Sequence, residues 1–472
     1  MYSVEDIIYS LNEKNTWWKN GKVDAAKLFN FKRNEYYLAE KSFNSELRRI
    51  VVLCGTRRVG KSSIMYQMID ELLNSGIEPR KILYFSMDMV SCKEFGIDKV
   101  IRIYNENVYE GKDFYLFIDE VQNDENWTLK LKDIYDTYNL VKCVATGSSS
   151  PKIAKKIKEE QESGAGRWTV INVPTLSFYE YCEIKGIKKD IGDIDVFSFH
   201  KLSKSDQTSI VMKLSDLNVH LLKYLEIGGF PEFVSIKDVD EAKNSLREQI
   251  LSKVIWHDMV ETYNIRNPKV LEKFYKYLCL NSSNVLNIET VCKELENVSR
   301  PTIEKYIEDL ADSSLIYICP LLSKGGKSPL KEKNKIHIAD TGIRSVFVPR
   351  LNVYTNSTEL GYQIETATFK HIRDYYNRIR SFLEIGYIKD KNGKEVDIVI
   401  SDENVPIQLV EAKARNNSVI KDDDGIIVYG IKDIPGYVIT KDSMDYGLTE
   451  RKGTLLYRIP AVVFLYLIGK MR

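Results

Sequence analysis

The sequence lacks the residue spacings on which zinc sites and disulfide frameworks are built. Its 7 cysteines form no CxxC pair, and its 5 histidines show no HExxH spacing. A zinc site is therefore not expected. Free, buried thiols in a reducing compartment are the simpler interpretation of cysteines that are scattered in this way.

The sequence is also poor in signals for membranes and nucleic acids. Its last apolar run, IPAVVFLYLIG, is too short to span a bilayer. Its first residues lack the charged-then-apolar layout of a signal peptide. The formal net charge of +1 gives no basic excess, so a DNA-binding surface has to be a local patch. We expect a cytoplasmic protein without membrane segments, and its 472 residues suggest two to four domains.

A phosphate-binding loop between a strand and a helix is the first pattern with a chemical meaning. The segment GTRRVGKSS satisfies GxxxxGK[ST] and follows an apolar strand that begins at Ile50. Glycines in such a loop let backbone amides face the β-phosphate, Lys61 neutralises the β/γ charge, and Ser62 reaches the magnesium ion. The loop residues assigned to ATP binding are Gly55, Arg58, Gly60, Lys61, Ser62 and Ser63.

Two further strands supply residues expected around the γ-phosphate. FYLFIDE has the Walker B form, in which Asp119 holds Mg²⁺ through water and Glu120 polarises the attacking water. KCVATGSSS ends in hydroxyl residues, where a γ-phosphate sensor is expected. Thr146, Ser148 and Ser149 are the candidates, and Ser148 is assigned to the nucleotide site, but the sequence alone does not choose the sensor.

Arg167 follows two glycines in ESGAGRWTV. An arginine at this place can act as an arginine finger on a phosphate, in its own subunit or from a neighbouring one. An ordinary surface arginine is the alternative.

These segments, together with RNEYY, LSFYEY and EIGGFPEF, resemble the prokaryotic AAA-type ATPases that are common in archaea and anaerobic bacteria. The resemblance implies an αβα sandwich with the sheet order of the additional-strand ATPases, followed by a C-terminal domain that is often restriction-endonuclease-like. It identifies Arg167 with the family's GR arginine. It also implies that Arg33 and Tyr36 lie near the adenine, but it names no substrate.

The middle of the chain predicts a helical lid and then a winged helix. The lid, residues 176–245, has the segment GGFPE as its end or hinge, and His257 beyond it is expected to pack or cap rather than catalyse. Residues 246–350 predict a short helix, a turn with Pro301 at the first position of a second helix, and a strand, which is the order of a winged helix.

The loop after that strand, SKGGKSPLKEKNK, is the expected wing. The expected phosphate partners are Arg300, Lys324, Lys327 and Lys331. The second helix carries four acids that repel a phosphate backbone: Glu304, Glu308, Asp309 and Asp312. A winged helix used for packing or subunit contacts therefore stays open as the alternative.

Residues 351–472 place charges on strands that are otherwise apolar, which is costly unless the charges are paired or bind a metal. Strand alternation puts Asp397 on the face of EVDIVI that carries Glu395 and Val399, opposite Val396.

Three further charged residues are expected to join Asp397. Glu411 and Lys413 share one face of QLVEAKA, an Asn-Gly turn predicts a hairpin, and an upstream helix carries Glu365. If the strands pair, all four side chains converge. Glu365, Asp397 and Glu411 would then hold one or two Mg²⁺ or Mn²⁺ ions that bind a scissile phosphate, and Lys413 would position the attacking water.

This spacing resembles the PD-(D/E)xK nuclease superfamily. Glu365, Asp397, Glu411 and Lys413 match its positions, and Val396 stands where proline is common. The alternatives are a sheet whose edge residues form salt bridges and a degenerate nuclease that is kept for DNA binding.

The expected fold class is α/β: a P-loop AAA+ domain (1–175), a helical lid (176–245), a winged helix (246–350) and a PD-(D/E)xK nuclease-like α/β domain (351–472). The leading hypothesis is a homo-oligomeric ATPase coupled to a Mg²⁺-dependent endonuclease that cuts structured, branched or foreign DNA. The main rival is an ATP-driven switch or remodelling ATPase whose nuclease-like domain only binds DNA or a protein. A third reading is a signalling ATPase that oligomerises on a protein ligand.

Overall fold

The computed structural model describes most of the chain. The described residues are 2–148, 157, 166–296, 298–322, 333–349, 353–379, 382–413 and 419–471. Four of the predicted site residues lie outside them: Ser149, Lys324, Lys327 and Lys331. The chain divides into two compact units, Met1–Pro174 with the short segment Asp312–Ser314, and Thr175–Ala311 with Leu315–Arg472.

A five-stranded parallel sheet forms the centre of the first unit. Its strands are β1 (Ile50–Cys54), β2 (Ile82–Ser86), β3 (Tyr115–Asp119), β4 (Lys142–Gly147) and β5 (Trp168–Asn172). They lie in the order β2-β3-β4-β1-β5, and every pairing is parallel. Strand β4 thus lies between the phosphate-loop strand β1 and the Walker B strand β3. The predicted sheet order of the additional-strand ATPases is confirmed.

Helices cover both faces of this sheet. They are α1 (Val4–Lys14), α2 (Trp17–Asn20), α3 (Asn34–Phe43), α4 (Lys61–Asn74), α5 (Val90–Asn107) and α6 (Trp127–Thr137). In β1, Ile50, Val52 and Cys54 pack in one cluster with apolar residues of α1, α5 and α6. Val51 and Leu53 alternate with them and are also fully buried. Because α3 and α4 also contact the sheet, the arrangement is an αβα sandwich.

The rest of the chain contains helices and two smaller sheets. The α-helices are α7 (Phe178–Ile184), α8 (Lys204–Ser215), α9 (Asn218–Ile227), α10 (Pro231–Val234), α11 (Val239–Glu248), α12 (Met259–Tyr263), α13 (Pro268–Leu280), α14 (Ile288–Glu294), α15 (Arg300–Asp312), α16 (Thr341–Phe347), α17 (Ser357–Ile379), α18 (Gly425–Val428) and α19 (Ala461–Lys470). A π-helix, Gln249–Asp258, joins α11 to α12. Within the described ranges, none of the helices is both long enough and apolar enough to cross a bilayer.

A three-stranded antiparallel sheet follows α13. Its strands are β6 (Asn284–Val285), β7 (Ile316–Cys319) and β8 (Lys335–Ile338), in the order β6-β8-β7. From α13 onward, the chain runs helix, strand, helix, helix, strand, strand. The second helix of the predicted pair begins at Arg300, one residue before Pro301, where it was expected to start.

A six-stranded mixed sheet forms most of the C-terminal part. Its strands are β9 (Glu384–Lys389), β10 (Glu395–Asp402), β11 (Val405–Lys413), β12 (Gly436–Thr440), β13 (Gly447–Arg451) and β14 (Thr454–Pro460), in the order β13-β14-β12-β11-β10-β9. The predicted hairpin between β9 and β10 is confirmed. The predicted alternation is wrong in one respect: the register shifts between Val396 and Val399. Both valines therefore pack in the same apolar cluster.

Candidate nucleotide and carboxylate sites

The carboxyl ends of the parallel strands bring the predicted nucleotide residues together. β1 leads into the phosphate loop, β3 ends at Asp119, and β4 carries Thr146. The Asp119 carboxylate accepts hydrogen bonds from Ser62 Oγ (2.8 Å), from the Tyr84 hydroxyl (3.1 Å) and from the Thr146 hydroxyl. Ser62 and Asp119, which were predicted from separate motifs, are in contact. Sequence reasoning missed Tyr84, because a tyrosine in an apolar strand gives no signal of its own.

The electrostatics of Asp119 suit a cation. Burial and the neighbouring charge of Glu120 raise the pKa of the Asp119 carboxyl, and hydrogen bonds from Thr146 and Ser62 offset only part of this. Oxygen donors such as Ser62 and Asp119 are the ligands that Mg²⁺ prefers. The residues therefore fit the expected ion, which would neutralise charge on the β- and γ-phosphates when it is bound with nucleotide.

The lysine of the phosphate loop is hydrogen-bonded to the backbone of the loop itself. Lys61 is buried, and its Nζ donates hydrogen bonds to the carbonyl oxygens of Gly55 (2.9 Å) and Thr56 (3.1 Å). A phosphate can replace these carbonyls as the partner of the ammonium group.

The backbone of the loop explains its glycines. Gly60 has a φ of 97°, which favours glycine. A Cβ on Gly55 would lie 2.3 Å from a backbone carbonyl oxygen. Arg58 has a φ of 132°, a strained conformation for a residue with a side chain. Ser63 lies in the first turn of α4, next to Ser62.

Glu120 is held in an unusual conformation beside Asp119. Its φ is 55°, in the left-handed region, and its N–H donates a hydrogen bond to Thr146 Oγ1 (3.0 Å). The side-chain amide of Gln122 donates to the Glu120 carboxylate and to Ser148 Oγ (2.8 Å). Gln122 therefore joins the predicted base to the predicted sensor strand. Sequence reasoning missed Gln122, although its place two residues after the Walker B acids was a usable signal.

In the C-terminal part, the four residues predicted for a metal site do come together. Glu365 lies in α17, Asp397 in β10, and Glu411 and Lys413 in β11. The Asp397 N–H donates to Glu411 Oε2 (3.4 Å), and the Ala412 N–H donates to Asp397 Oδ2 (3.1 Å). Lys413 Nζ lies 3.1 Å from Glu411 Oε1. Asp397 and Glu411 meet because β10 pairs with β11, which is the pairing that the predicted convergence depends on.

A side chain that was not predicted lies among these carboxylates. Lys335, at the start of β8, has a side chain that is only 3% exposed. Its Nζ lies 2.5 Å from Glu395 Oε1, 3.3 Å from Asp397 Oδ1 and 3.5 Å from Glu365 Oε1. We call Lys335, Glu365, Glu395, Asp397, Glu411 and Lys413 the carboxylate cluster. The only sequence signal for Lys335 was a lysine at the edge of the apolar run KIHIA.

The charges of this cluster depend on one another. Burial and the negative charge of Asp397 raise the pKa of Glu365 well above its usual value, and the same causes raise the pKa of Glu411 to about 8. Burial opposes ionisation of Glu395, but Lys335 and Lys389 together outweigh it and lower the pKa of this carboxyl. Burial also opposes the charge on Lys335, yet Asp397 and the other carboxylates raise its pKa.

The arrangement differs from the predicted metal site. The oxygen donors are of the kind that Mg²⁺ and Mn²⁺ take. However, no group of three His, Cys, Asp or Glu side chains in the described part of the chain is placed to hold a metal ion. The oxygens that a metal needs already have ammonium partners: Lys335 lies beside Glu365 and Asp397, and Lys413 lies beside Glu411.

Comparisons with known proteins agree with the nucleotide site. Residues 47–182 match the family model described as an AAA domain. The N-terminal unit contains a P-loop ATPase domain. Residues 218–352 match a second model, described as a domain of unknown function (DUF8612), which crosses the predicted boundary between lid and winged helix.

Two archaeal proteins are similar along most of their length. "Uncharacterized protein MJ1637" of Methanocaldococcus jannaschii is 26% identical over 440 residues, which cover 91% of this chain and 87% of that protein. "Uncharacterized protein MJ1544" of the same organism is 26% identical over 369 residues, or 75% of this chain and 73% of that protein. The ORC2 protein of Aeropyrum pernix, solved with ADPNP and ADP, is 10% identical over 69% of this chain and 96% of its own, with a TM-score of 0.37.

Within the ATPase domain, Arg167 lies away from the phosphate loop. Its carbonyl accepts a hydrogen bond from the Ile50 N–H (2.7 Å), at the beginning of β1, whereas the loop follows the end of β1. At ~3.3 Å per residue, the two ends of this strand are roughly 13 Å apart. The guanidinium group instead lies 3.4 Å from Asp136. The structure does not form an arginine finger within the subunit, and a finger that acts on a neighbouring subunit stays a prediction.

The two residues expected near the adenine make other contacts. Arg33 donates hydrogen bonds to the carbonyl oxygens of Val59 (2.5 Å), which lies in the phosphate loop, and of Pro174 (2.9 Å). Arg33 therefore holds the backbone of the loop. Tyr36 is fully buried and contacts Lys32 through its hydroxyl (3.0 Å). In this structure, Tyr36 offers no ring face to a base.

The middle region differs in detail from the prediction. His257 is 61% exposed and lies near Asp258 and Glu261, so it does not pack in a core. Arg300 pairs with Glu304 (2.8 Å) on the surface of α15. A groove of about 790 Å³ lies between α14, α15 and the end of β9. Its basic residues are Arg300, Lys333, Lys389 and Lys391, and its acidic residues are Glu289 and Asp390.

Proposed function

We propose that the protein binds and hydrolyses ATP with Mg²⁺ and uses the nucleotide state to switch a C-terminal part that binds DNA. The proposal rests on the contact between Ser62 and Asp119 beside the loop lysine, Lys61. A phosphate loop, a buried acid and a hydroxyl ligand at one end of a parallel sheet are what phosphoryl transfer requires.

ATP hydrolysis by the purified full-length protein tests the first part of the proposal. Lys61→Ala is expected to abolish nucleotide binding, because the β/γ charge loses its partner. Glu120→Gln is expected to keep binding but to lower the hydrolysis rate by about a hundredfold or more, since it removes the general base. Lys93→Ala changes an exposed lysine of the same unit and serves as the control. A wild-type protein that binds no ATP would refute the proposal.

DNA binding is supported by the order of elements from α13 to β8, which is that of a winged helix, and by the basic groove beside it. Phosphate contacts make binding weaker as salt rises. We expect Lys333→Glu and Lys391→Glu to weaken binding of duplex DNA and to flatten its salt dependence. Lys204→Glu, an exposed position on α8, is the control. Binding of DNA that neither variant weakens would remove the groove from the proposal.

Mg²⁺-dependent DNA cleavage is the second candidate, favoured by the convergence of Glu365, Asp397, Glu411 and Lys413. Duplex, single-stranded and branched DNA, each with Mg²⁺ or Mn²⁺, are the substrates to test. Asp397→Ala and Lys413→Ala are expected to abolish cleavage and to leave ATP hydrolysis intact. If all three substrates stay uncut, the C-terminal part acts by binding alone, as the first candidate states. The position of Lys335 beside Glu365 and Asp397 favours binding without cleavage in this conformation.

A further inference from the structure

The ammonium group of Lys335 supplies a positive charge inside the carboxylate cluster. Lys335 Nζ lies within 4 Å of Glu365, Glu395 and Asp397 at once, and its side chain is almost completely buried. Burying several carboxylates is costly without a partner of opposite charge. Lys413 pairs with other carboxylates, Glu411 and Asp424, and Lys389 pairs with Glu395. Lys335 is the cation that lies beside Glu365 and Asp397.

The backbone fixes Lys335 in this place. β8 is the central strand of its sheet, and Lys335 pairs there with both Val285 and Cys319. The chain that continues β7 is joined to β9 at Tyr387, whose N–H donates to Pro320 (2.9 Å) and whose carbonyl accepts from Leu322 (2.8 Å). β9 in turn pairs with β10, which carries Asp397.

Further contacts at Tyr387 hold the two sheets in register. The hydroxyl of Tyr387 donates to the Lys333 carbonyl (2.6 Å), and Lys335 Nζ lies 5.2 Å from the centre of the Tyr387 ring. A Cβ on Gly386 would lie 2.4 Å from the Pro320 carbonyl oxygen, so the two chains approach closely here. A change of rotamer that takes Lys335 away from the carboxylates also takes its ammonium group away from the Tyr387 ring.

We propose that Lys335 is the resident cation of the carboxylate cluster and excludes divalent metal ions from it. Mg²⁺ binds carboxylate oxygens at about 2.1 Å. An ion at that distance from Glu365 and Asp397 would collide with the ammonium group and be repelled by it. A metal therefore enters only when the Lys335 side chain leaves the cluster, which breaks its contacts with Glu365, Glu395 and Asp397. This goes beyond the proposed function, and it holds whether or not the protein cuts DNA.

The test measures binding of Mn²⁺ alone to the full-length protein without nucleotide, by the loss of the free-ion signal in electron paramagnetic resonance. Wild type and Asp397→Asn are expected to bind Mn²⁺ equally. Lys335→Met is expected to bind one Mn²⁺ ion per chain more than wild type. Lys335→Met with Asp397→Asn is expected to lose that gain.

Two further variants sharpen the comparison. Lys335→Arg keeps a cation in the cluster and is expected to behave as wild type. Lys389→Met removes another lysine that pairs with Glu395 (2.6 Å) but is 42% exposed, and it is expected to gain no ion. Circular dichroism establishes that each variant is folded.

Two results would overturn the proposal. One is a Mn²⁺ ion in wild type that Asp397→Asn loses, because the metal would then share the cluster with Lys335. The other is a folded Lys335→Met that gains no ion. If Lys335→Met does not fold, wild type and Asp397→Asn still decide: equal binding supports the proposal and unequal binding refutes it. Failure of ATP hydrolysis is measured separately and leaves this result untouched.

Discussion

At the nucleotide site, single hydroxyl groups position the two acids at the end of β3, Asp119 and Glu120. Thr146 donates to Asp119 and accepts from the backbone of Glu120, so one side chain sets the position of both. Glu120 needs this support because its left-handed backbone conformation is strained for a residue other than glycine. Ser62 and Tyr84 complete the set of donors around Asp119.

Replacing Thr146 by valine, which has nearly the same shape, tests this role. We expect Thr146→Val to lower the ATP hydrolysis rate by about 10- to 100-fold with little change in nucleotide affinity, since only the supports of the ligand and the base are lost. Steady-state hydrolysis and binding of a fluorescent nucleotide measure the two effects. Thr137→Val, on an exposed position, is the control. A rate close to wild type would show that Thr146 only packs.

Two buried histidines of the second unit make its stability depend on pH. His371 Nε2 accepts a hydrogen bond from the Phe178 N–H (2.9 Å), so this ring is neutral. Burial and the nearby charge of Lys370 lower the pKa of His371 well below its usual value. Burial and the charge of Lys335 do the same to the pKa of His337.

A depressed histidine pKa means that the unfolded chain binds more protons than the folded one below about pH 6.5. We therefore expect the contribution of the two histidines to the unfolding free energy to be constant above that pH and to fall below it, by at most about 1.4 kcal/mol per pH unit for each histidine. Chemical denaturation across this range measures the slope. His371→Gln is expected to lower this slope by the contribution of one proton, at most about 1.4 kcal/mol per pH unit. An unchanged slope in that variant would contradict the assignment.

At the scale of elements, the turn after α9 is fixed by a residue far along the chain. The Asp340 carboxylate accepts hydrogen bonds from the N–H groups of Gly229 and Gly342, both at 2.9 Å. Gly228 has a φ of 77°, and a Cβ there would lie 1.8 Å from the Asp340 carboxylate. The Gly-Gly turn was expected to be the end of the lid or its hinge. These contacts tie the turn to the start of α16.

Removing the carboxylate should loosen this connection. Asp340→Ala leaves two buried N–H groups without a partner, so we expect a loss of on the order of 2–4 kcal/mol in unfolding free energy. Asp340→Asn keeps one acceptor oxygen and is expected to lose less. Urea denaturation of both variants measures the difference. Equal stability of Asp340→Ala and wild type would rule out the connection.

At the scale of the whole molecule, both units bury their cysteines. All 7 are free, and only Cys292 is partly accessible, while the other 6 are buried. Burial raises the pKa of the Cys92 thiol to about 11 and that of Cys143 to about 12. Such thiols react slowly because the thiolate is the reactive form. The interpretation of the cysteines as free, buried thiols is confirmed for 6 of the 7.

A thiol reagent that releases a coloured product should therefore count the thiols that the folded protein exposes. We expect the native protein to react quickly at one thiol and the denatured protein at all 7. Cys292→Ser is expected to abolish the fast reaction. Several fast thiols in the native protein would show that one of the units opens readily.

The sequence by itself determined the features that depend on neighbouring residues. The phosphate loop, the Walker B acids and the face shared by Glu411 and Lys413 follow from short spacings and from strand periodicity. Even the convergence of Asp397 with Glu411 needed only one antiparallel pairing.

Only the tertiary structure decided which distant side chains meet. Lys335 lies 62 positions before Asp397, in another sheet, and no local period relates the two. The same holds for Asp340, which lies 111 positions from Gly229. Arg167 was matched to a nucleotide role by its local motif, but the parallel pairing of β5 with β1 places it at the other end of the strands. Contacts of this kind arise from how strands pair and sheets join, which residue spacing along one segment does not encode.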